Sequence, residues 1–174
     1  GPVGMFLGVW LVTGALVELW QRARGDLSRL RRLPRADWGK ATAHAGLGVT
    51  MAGVAGLMAW QSDDIRVATF GERFDVGSYT LTLNAVAQVQ GPNYLSDKAD
   101  ITLARGDRRI ARLTPEKRFY PVAQMPTTEA AIDYDLARDV YVVIGDEQPG
   151  GWVVRTYIKP MTNWIWIGCA LMSL

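Results

Sequence analysis

One residue of this chain combines a metal-binding side chain with an apolar setting. His44 is the only histidine among 174 residues, and it lies within Ala41 to Trp60, a stretch without a formal charge. As a helix this stretch is about 30 Å long, which matches the hydrocarbon core of a bilayer. A titratable imidazole in such a helix is costly and usually has a partner or a metal. The residues alone leave two interpretations open: a ligand of haem iron, or a hydrogen-bonded histidine that packs helices together.

Other arrangements of catalytic residues are missing from the sequence. Cys169 is the single cysteine, so the chain forms no internal disulfide and no cysteine-based zinc site. Its position in an apolar run predicts a small packing residue. One histidine and one cysteine, both in apolar runs, do not make a nucleophile–base pair, and no G-x-x-x-x-G-K-[ST] phosphate loop is present. We therefore nominate no catalytic residue, and His44 alone as a cofactor-binding and metal-binding residue.

A charged segment from Leu113 to Pro121 is the second feature with possible chemistry. Together with residues 127–132, which follow it, this segment predicts a charged strand, a proline turn and a second strand. Lys117 and Arg118 within it are open to two interpretations. They belong to a solvated strand face, or they form a patch that binds an anionic group or a partner protein.

Three apolar runs organise the chain around His44. Residues 3–21 and 41–60 are each long enough to span a bilayer, and residues 161–174 open with interfacial tryptophans and read as the start of a truncated third span. The chain begins inside one apolar run and stops inside another, so we expect a fragment of a longer membrane protein. In the first run, Gly4-x-x-x-Gly8 signals close helix packing. Near its end, Glu18 is placed to pair with Arg22, and an intramembrane proton relay is the alternative role for Glu18.

The connector over residues 22–40 carries seven basic residues against two acidic ones. A short, basic loop between two spans predicts the cytoplasmic side of the membrane, so His44 is expected toward the cytoplasmic leaflet. A nucleic-acid site is disfavoured, because topology explains the charge and no aromatic platform accompanies it. Contact with anionic lipids is compatible with the same residues. A short interfacial helix around Leu27 and Leu30 is expected, and Asp37 is placed to cap the next helix.

Residues 61–159 form a different kind of segment, rich in Thr, Val and Tyr and without a run long enough to span. The stretch 79–85 alternates with period two, which predicts a half-buried strand. Two hairpins are predicted, with turns at 105–108 and at 145–151. The pattern predicts an antiparallel barrel or sandwich. The predicted fold class is therefore transmembrane α-helices with an inserted extracytoplasmic, periplasmic antiparallel β domain.

Several stretches, taken together, resemble the C-terminal region of the CcmF family of cytochrome c-type biogenesis proteins, with its relative NrfE close beside it. The second apolar run, in which His44-Ala45-Gly46 opens a glycine-rich helix, is similar to the family segment that holds one of two membrane-embedded haem ligands. The resemblance covers essentially the whole chain. The matching stretches outside that run are Pro115-Glu116-Lys117-Arg118-x-Tyr120, Thr128-Glu129-Ala130-Ala131-Ile132, and Arg155-x-x-x-Lys159-Pro160-x-x-x-Trp164-Ile165-Trp166-x-Gly168.

The resemblance implies a subunit of the membrane haem lyase complex of the bacterial inner membrane. Such a subunit receives haem from the haem-loaded chaperone CcmE and, with CcmH, joins it to the two thiols of a Cys-x-x-Cys-His site in apocytochrome c. It also implies a b-type haem held between two histidines on different helices, and His44 is carried over as one of these ligands of the haem iron. The second ligand and the haem-handling motif are not in this chain, which is not expected to be active alone.

A function from another class is a non-catalytic membrane assembly scaffold. Its periplasmic β domain would bind partner proteins, and His44 would be a packing residue. A transporter fragment ranks last, because broken helices and repeated halves are missing. The role of the β domain, the cytochrome that is matured, the haem stoichiometry and the choice between CcmF and NrfE stay open at this point.

Overall fold

The computed structural model describes all residues from 1 to 174. It contains two compact units, one built of helices and one of strands. The helices are α1 Pro2–Arg22, α2 Leu27–Leu30, α3 Arg35–Trp60 and α4 Thr162–Met172. The strands are β1 Ser62–Ala68, β2 Arg73–Val76, β3 Tyr79–Gln90, β4 Leu95–Arg105, β5 Arg108–Leu113, β6 Glu116–Tyr120, β7 Met125–Glu129, β8 Ala131–Tyr134, β9 Arg138–Gln148 and β10 Gly151–Pro160.

The helical unit comprises residues 1–61, 135–138 and 160–174. Helices α1 and α3 have 21 and 26 residues and are long and apolar enough to cross a membrane. They pack at backbone distance: a Cβ atom on Gly48 would lie 2.6 Å from the carbonyl oxygen of Gly8, and one on Gly4 would lie 2.7 Å from the Cβ of Ala55. The predicted close-packing role of the Gly4-x-x-x-Gly8 pair is therefore confirmed.

Helix α4 packs on a different side of α3, again through glycine. A Cβ atom on Gly46 would lie 2.6 Å from the carbonyl oxygen of Gly168. Nearer the other end of α3, a Cβ atom on Gly53 would lie 2.9 Å from Ile165. All seven buried residues of α3 are glycine or alanine, namely Ala41, Gly46, Gly48, Ala52, Gly53, Ala55 and Gly56. Two neighbours thus approach α3 because it carries no bulky side chain on either contact side.

The connector between α1 and α3 is ordered. The expected short helix forms as α2, which begins after Asp26, whose carboxylate accepts a hydrogen bond from the Ser28 amide at 2.8 Å. Leu30 and Leu33 pack against a small apolar cluster that contains Ala15 and Leu19 of α1. This packing ties the connector to the ends of the two long helices.

The start of α3 differs from the expectation. The helix begins at Arg35, six residues before the predicted start of the second span, and the extended Pro34 is its N-cap residue. The prediction that Asp37 caps this helix is wrong, because Asp37 lies inside the first turn. Pro34 has a non-helical ψ of 146°, so the helix begins at the next residue, and the acidic Asp37 still stabilises the first turn through the helix dipole.

The strand unit comprises residues 62–134 and 139–159 and holds two antiparallel sheets. One has the order β1-β10-β9-β8, and the other has the order β2-β3-β4-β6-β7, with β5 also paired to β4. Residues from both sheets are fully buried in a common core: Leu81, Leu83, Ile101, Leu103, Val140, Val142, Ile144 and Val154. The expected alternatives of barrel or sandwich thus resolve to a sandwich, with buried and partly exposed residues alternating along β3, β4 and β9.

Both predicted hairpins form, with one change. The first joins β4 to β5 through a turn at Gly106, whose φ of 57° suits glycine. The second joins β9 to β10, but β9 continues to Gln148 and the turn contracts to residues 149 and 150. The polar residues before Pro149, which the sequence predicts in the loop, extend the strand beyond the buried core, and Gly150 with a φ of 99° makes the turn.

The α1–α3 contact predicts a stability difference between two glycine substitutions on the same helix. Gly48→Ala should lower the free energy of unfolding by about 1–3 kcal/mol, because the added methyl group collides with the backbone of α1. Gly39→Ala is the matched control: nothing lies within 4 Å of its added Cβ, so it should raise helix stability by about 0.5–1 kcal/mol. Thermal unfolding of the two purified variants measures the difference, and equal midpoints would contradict the close contact.

Candidate functional site

Helix α3 presents three sides to its surroundings. One side, with Ala41, Gly48 and Ala55, packs on α1, and a second, with Gly46 and Gly53, packs on α4. The third side carries residues at helical spacing that no helix of this chain covers, and we call it the open face. Its members are His44, Leu47, Met51, Val54 and Met58, of which only Met51 is partly buried and the others are exposed.

His44 itself is held by its own helix. Its Nδ1 lies 2.8 Å from the carbonyl oxygen of Lys40, one turn earlier. A carbonyl oxygen only accepts hydrogen bonds, so the Nδ1–H of the imidazole donates to it. In a neutral ring the other nitrogen, Nε2, then keeps its lone pair free for a ligand bond. The structure thus holds His44 in the tautomer that a metal-ligating histidine needs.

A network of charges closes the end of α1 and α3 next to this histidine. Arg22 pairs with Glu18 at 3.0 Å and with Asp37 at 2.6 Å, and Lys40 pairs with Glu18 at 2.7 Å. The predicted Glu18–Arg22 ion pair is therefore confirmed. Lys40 itself supplies the carbonyl partner of His44, so this network also restrains the backbone that orients the imidazole.

The chain brings no further metal ligands to His44. No group of three or more His, Cys, Asp or Glu side chains comes together anywhere in residues 1–174. Cys169 is exposed on α4 and is not in a disulfide. A metal at His44 would therefore be bound by one protein atom of this chain, with its other ligands supplied by a cofactor and by other residues.

The second candidate feature, the pair Lys117 and Arg118 on β6, is not the freely solvated face that was one of its two interpretations. Lys117 forms an ion pair with Asp146 of β9, which links the two sheets. Arg118 pairs with Glu116 at 3.0 Å and with Glu129 at 3.4 Å. About a quarter of each basic side chain is exposed, 23% and 26%. Both cations are therefore neutralised inside the strand unit, which argues against a free anion-binding patch.

Arg118 also organises the outer side of the neighbouring strands. Its guanidinium lies 4.5 Å from the ring centroid of Tyr94, and Tyr94 packs against Tyr120 with ring centroids 5.6 Å apart. Beside it, the Lys98 ammonium and the Arg118 guanidinium hold the pKa of Glu116 below its usual range. Arg112 on β5 lowers the pKa of Asp100 on β4 in the same way. These pairs connect β4 to β5 and β6 and so stabilise the larger sheet.

A cleft of about 490 Å³ lies at the end of the larger sheet. Its apolar part includes Leu95, Phe119 and Pro126, and Leu95 and Phe119 are 53% and 39% exposed. Lys117 and Asp97 contribute charges to the same lining. Pairing registers place Leu95 opposite Phe119, and Phe119 opposite Pro126. The cleft is a mixed surface of the size of a small ligand site, and sequence reasoning missed it because its residues come from hairpins distant in sequence.

Sequence reasoning found His44 but not its supporting group or its open face. The Lys40 carbonyl is a backbone group, and its only sequence signal is the spacing of four residues in a helix. The open face was hidden because apolar and small residues surround His44 on every side of α3. Only the positions of α1 and α4 show which side of the helix stays uncovered.

Comparison with known proteins finds relatives of this chain in one family. A family model described as the CcmF C-terminal beta-sandwich matches residues 59–160. The cytochrome c-type biogenesis protein ccl1 of Rhodobacter capsulatus is 57% identical over 168 residues, which cover 96% of this chain and 26% of ccl1. CcmF of Escherichia coli is 35% identical over 174 residues, 99% of this chain and 26% of that protein.

More distant matches agree. NrfE of Haemophilus influenzae, also a cytochrome c-type biogenesis protein, is 27% identical over 169 residues, 96% of this chain and 25% of NrfE. A solved structure of the cytochrome c haem lyase CcmF matches with a TM-score of 0.70 and 19% identity over 97% of this chain and 29% of that one, which shows a shared fold. The chain spans about a quarter of the length of the curated relatives it matches.

The charge pairs of the strand unit predict a loss of stability in acid. The pKa of Glu116 is lowered in the folded state, so its contribution is present above its ordinary pKa and is lost as the pH falls through the folded value. Glu116→Gln should therefore lower the unfolding midpoint at pH 7 and flatten its fall toward pH 3. Glu147→Gln, at an exposed position with no ion pair in the structure, is the control. A Glu116→Gln profile that matches wild type at every pH would contradict this account.

Proposed function

This chain belongs to the CcmF family of cytochrome c-type biogenesis proteins, and we propose that its full-length protein is the haem lyase subunit that attaches haem to apocytochrome c. Within that protein, this chain supplies His44 as one axial ligand of an intramembrane b-type haem. It contributes no catalytic residue, so we expect no lyase activity from this chain alone.

The observation that carries the proposal is the state of the His44 ring. Its Nδ1–H is held by the Lys40 carbonyl at 2.8 Å, and its Nε2 is left free on the open face of α3. In a packing histidine, both ring nitrogens would be expected to form hydrogen bonds with neighbouring helices, because an imidazole nitrogen without a partner is costly in an apolar setting. The free Nε2 therefore favours a ligand over a packing role.

The surroundings of His44 fit an apolar, planar cofactor. Leu47, Met51 and Val54 follow His44 on the open face and present apolar surface. The backbone contacts of Gly48 and Gly46 with their neighbouring helices fix the rotation of α3 and so the direction of the imidazole. His44 would hold the iron of a haem bound here through Nε2, and such a haem would supply one-electron transfer chemistry at this position. The chain's own residues would orient this one ligand and provide the apolar surface beside it.

A second imidazole must come from the part of the full-length protein outside this chain, because His44 is the only histidine here. The open face is where such a helix and the haem would meet α3. Helices α1 and α4 already cover two of the three sides of α3. A further helix that supplies the second haem ligand would therefore approach α3 at the open face.

We further propose the bacterial inner membrane as the location, with α1 and α3 as spans. The basic connector lies on the cytoplasmic side by the positive-inside rule, and the strand unit lies in the periplasm. There the strand unit would meet CcmH, haem-loaded CcmE or apocytochrome c.

One observation favours the second candidate function, a non-catalytic assembly scaffold. The cleft at Leu95 and Phe119 exposes apolar side chains next to charged ones, which is the composition of a protein-binding surface. The two functions separate at His44, because a scaffold needs no ligand there. His44→Asn should leave cytochrome c maturation intact for a scaffold and abolish it for the haem site.

The haem proposal predicts the spectrum of a variant. Full-length protein purified from cells should carry a Soret band, and His44→Ala should lose most of it while inserting normally, because an axial ligand is removed. Thr42→Val is the control, since the Thr42 hydroxyl bonds only to the backbone carbonyls of Trp38 and Gly39 of its own helix. Stoichiometric haem in the His44→Ala variant would contradict the assignment of His44 as a haem ligand.

A rescue experiment separates ligation from packing. His44→Gly leaves space for free imidazole, and millimolar imidazole should restore the low-spin spectrum of the haem if His44 is a ligand. A packing role predicts no spectral response to imidazole, whatever the stability of the variant.

A further inference from the structure

We propose that the connector between α1 and α3 is a binding site for the phosphate headgroups of anionic phospholipids. The inference depends on the proposal that α1 and α3 span a membrane, but it goes beyond the haem lyase function. It concerns a set of arginines that takes no part in the charge network next to His44.

The acidic residues at this end of the helical unit are already occupied. Glu18 binds Arg22 and Lys40, and Asp37 binds Arg22 again. Asp26 caps α2 and lies 3.5 Å from Arg29. The three carboxylates thus neutralise three of the seven basic residues in the connector.

Four arginines remain without an acidic partner in the structure, and all four are exposed: Arg24, Arg31, Arg32 and Arg35. They lie within twelve residues of an ordered segment, since Leu30 and Leu33 anchor the connector to the long helices. Arg35 is even placed in the first turn of α3, where the helix dipole disfavours a positive charge. Their shared feature is a concentration of exposed guanidinium groups without an acidic partner, on a backbone that Leu30 and Leu33 anchor.

The chemistry of this surface matches a phosphodiester at a membrane boundary. One guanidinium group can donate two parallel hydrogen bonds to two oxygens of a phosphate. Leu27 on α2 is 70% exposed beside them and offers a side chain that would enter the acyl region. Trp20 and Trp38, at the adjoining helix ends, are 47% and 40% exposed, as expected at headgroup depth. Charge and apolar groups together favour a lipid over a nucleic acid, whose bases would need exposed aromatic stacking among the arginines.

The test compares two lipids on the full-length protein. Native mass spectrometry of protein titrated with phosphatidylglycerol, or with phosphatidylcholine of the same chains, gives an affinity for each. Wild type should prefer phosphatidylglycerol. The double variant Arg31→Gln/Arg32→Gln should lose roughly fivefold in that affinity per arginine, with phosphatidylcholine binding unchanged.

A matched control removes the same charge elsewhere. Arg108→Gln/Arg109→Gln lies in the exposed β4–β5 hairpin and should leave the preference intact. An equal loss in this control, or no preference in wild type, would overturn the proposal. Displacement of the lipid by an equal concentration of soluble glycerol phosphate would also overturn it, because the site would then bind a free anion. Binding of RNA with displacement of lipid would assign the surface to nucleic acid instead.

A salt titration of wild type covers the case in which the double variant does not fold. The preference for phosphatidylglycerol should fall as the salt concentration rises from about 0.05 M to about 0.5 M, because the shorter Debye length screens the attraction between guanidinium and phosphate groups. A preference independent of salt would contradict the arginine site. If the protein inserts into bilayers yet shows no lipid preference, the lipid-binding inference is wrong. The proposal that α1 and α3 span the membrane is not affected by that result.

Discussion

The helical unit depends on backbone contact between helices, and that contact is available only because α3 lacks side-chain bulk on two of its sides. At Gly48 and Gly46 the neighbouring carbonyl groups occupy the space of a methyl group. Such contacts allow one rotation of α3 about its axis, since any other would bring Leu47 or Met51 against a helix backbone. The uncovered third side, and with it the direction of His44, follows from this constraint. The site is therefore a consequence of packing more than of any motif around the histidine.

The elements that the sequence predicted well are those whose signal is local. The hairpin at Gly106 depends on turn residues, and the Glu18–Arg22 pair depends on helical spacing. Where partners are distant, local signals fail. Ala130 connects β7 in the larger sheet to β8 in the smaller one, yet residues 127–132 read as a single strand. Nothing in that alternation says which sheet each half joins.

The candidate site shows the same limit. The type and position of His44 were evident, because it is the only histidine and lies in an uncharged stretch. Its tautomer and its open face were not, because Gly and Ala occur all around α3 and give no amphipathic pattern. The prediction for Lys117 and Arg118 failed because it depended on partners distant in sequence. Apart from Glu116, the carboxylates that neutralise them lie eleven or more residues away on other strands. A charged residue in the sequence predicts a fully solvated side chain only where the fold brings it no oppositely charged partner.

The most direct measurement of the central claim is an experimental density map of the full-length protein around α3. Our account predicts haem density on the open face, with the iron at bonding distance from His44 Nε2 and the Nδ1–H still directed to the Lys40 carbonyl. A map in which Nε2 is hydrogen-bonded to a side chain of another helix, with no haem on this face, would contradict it.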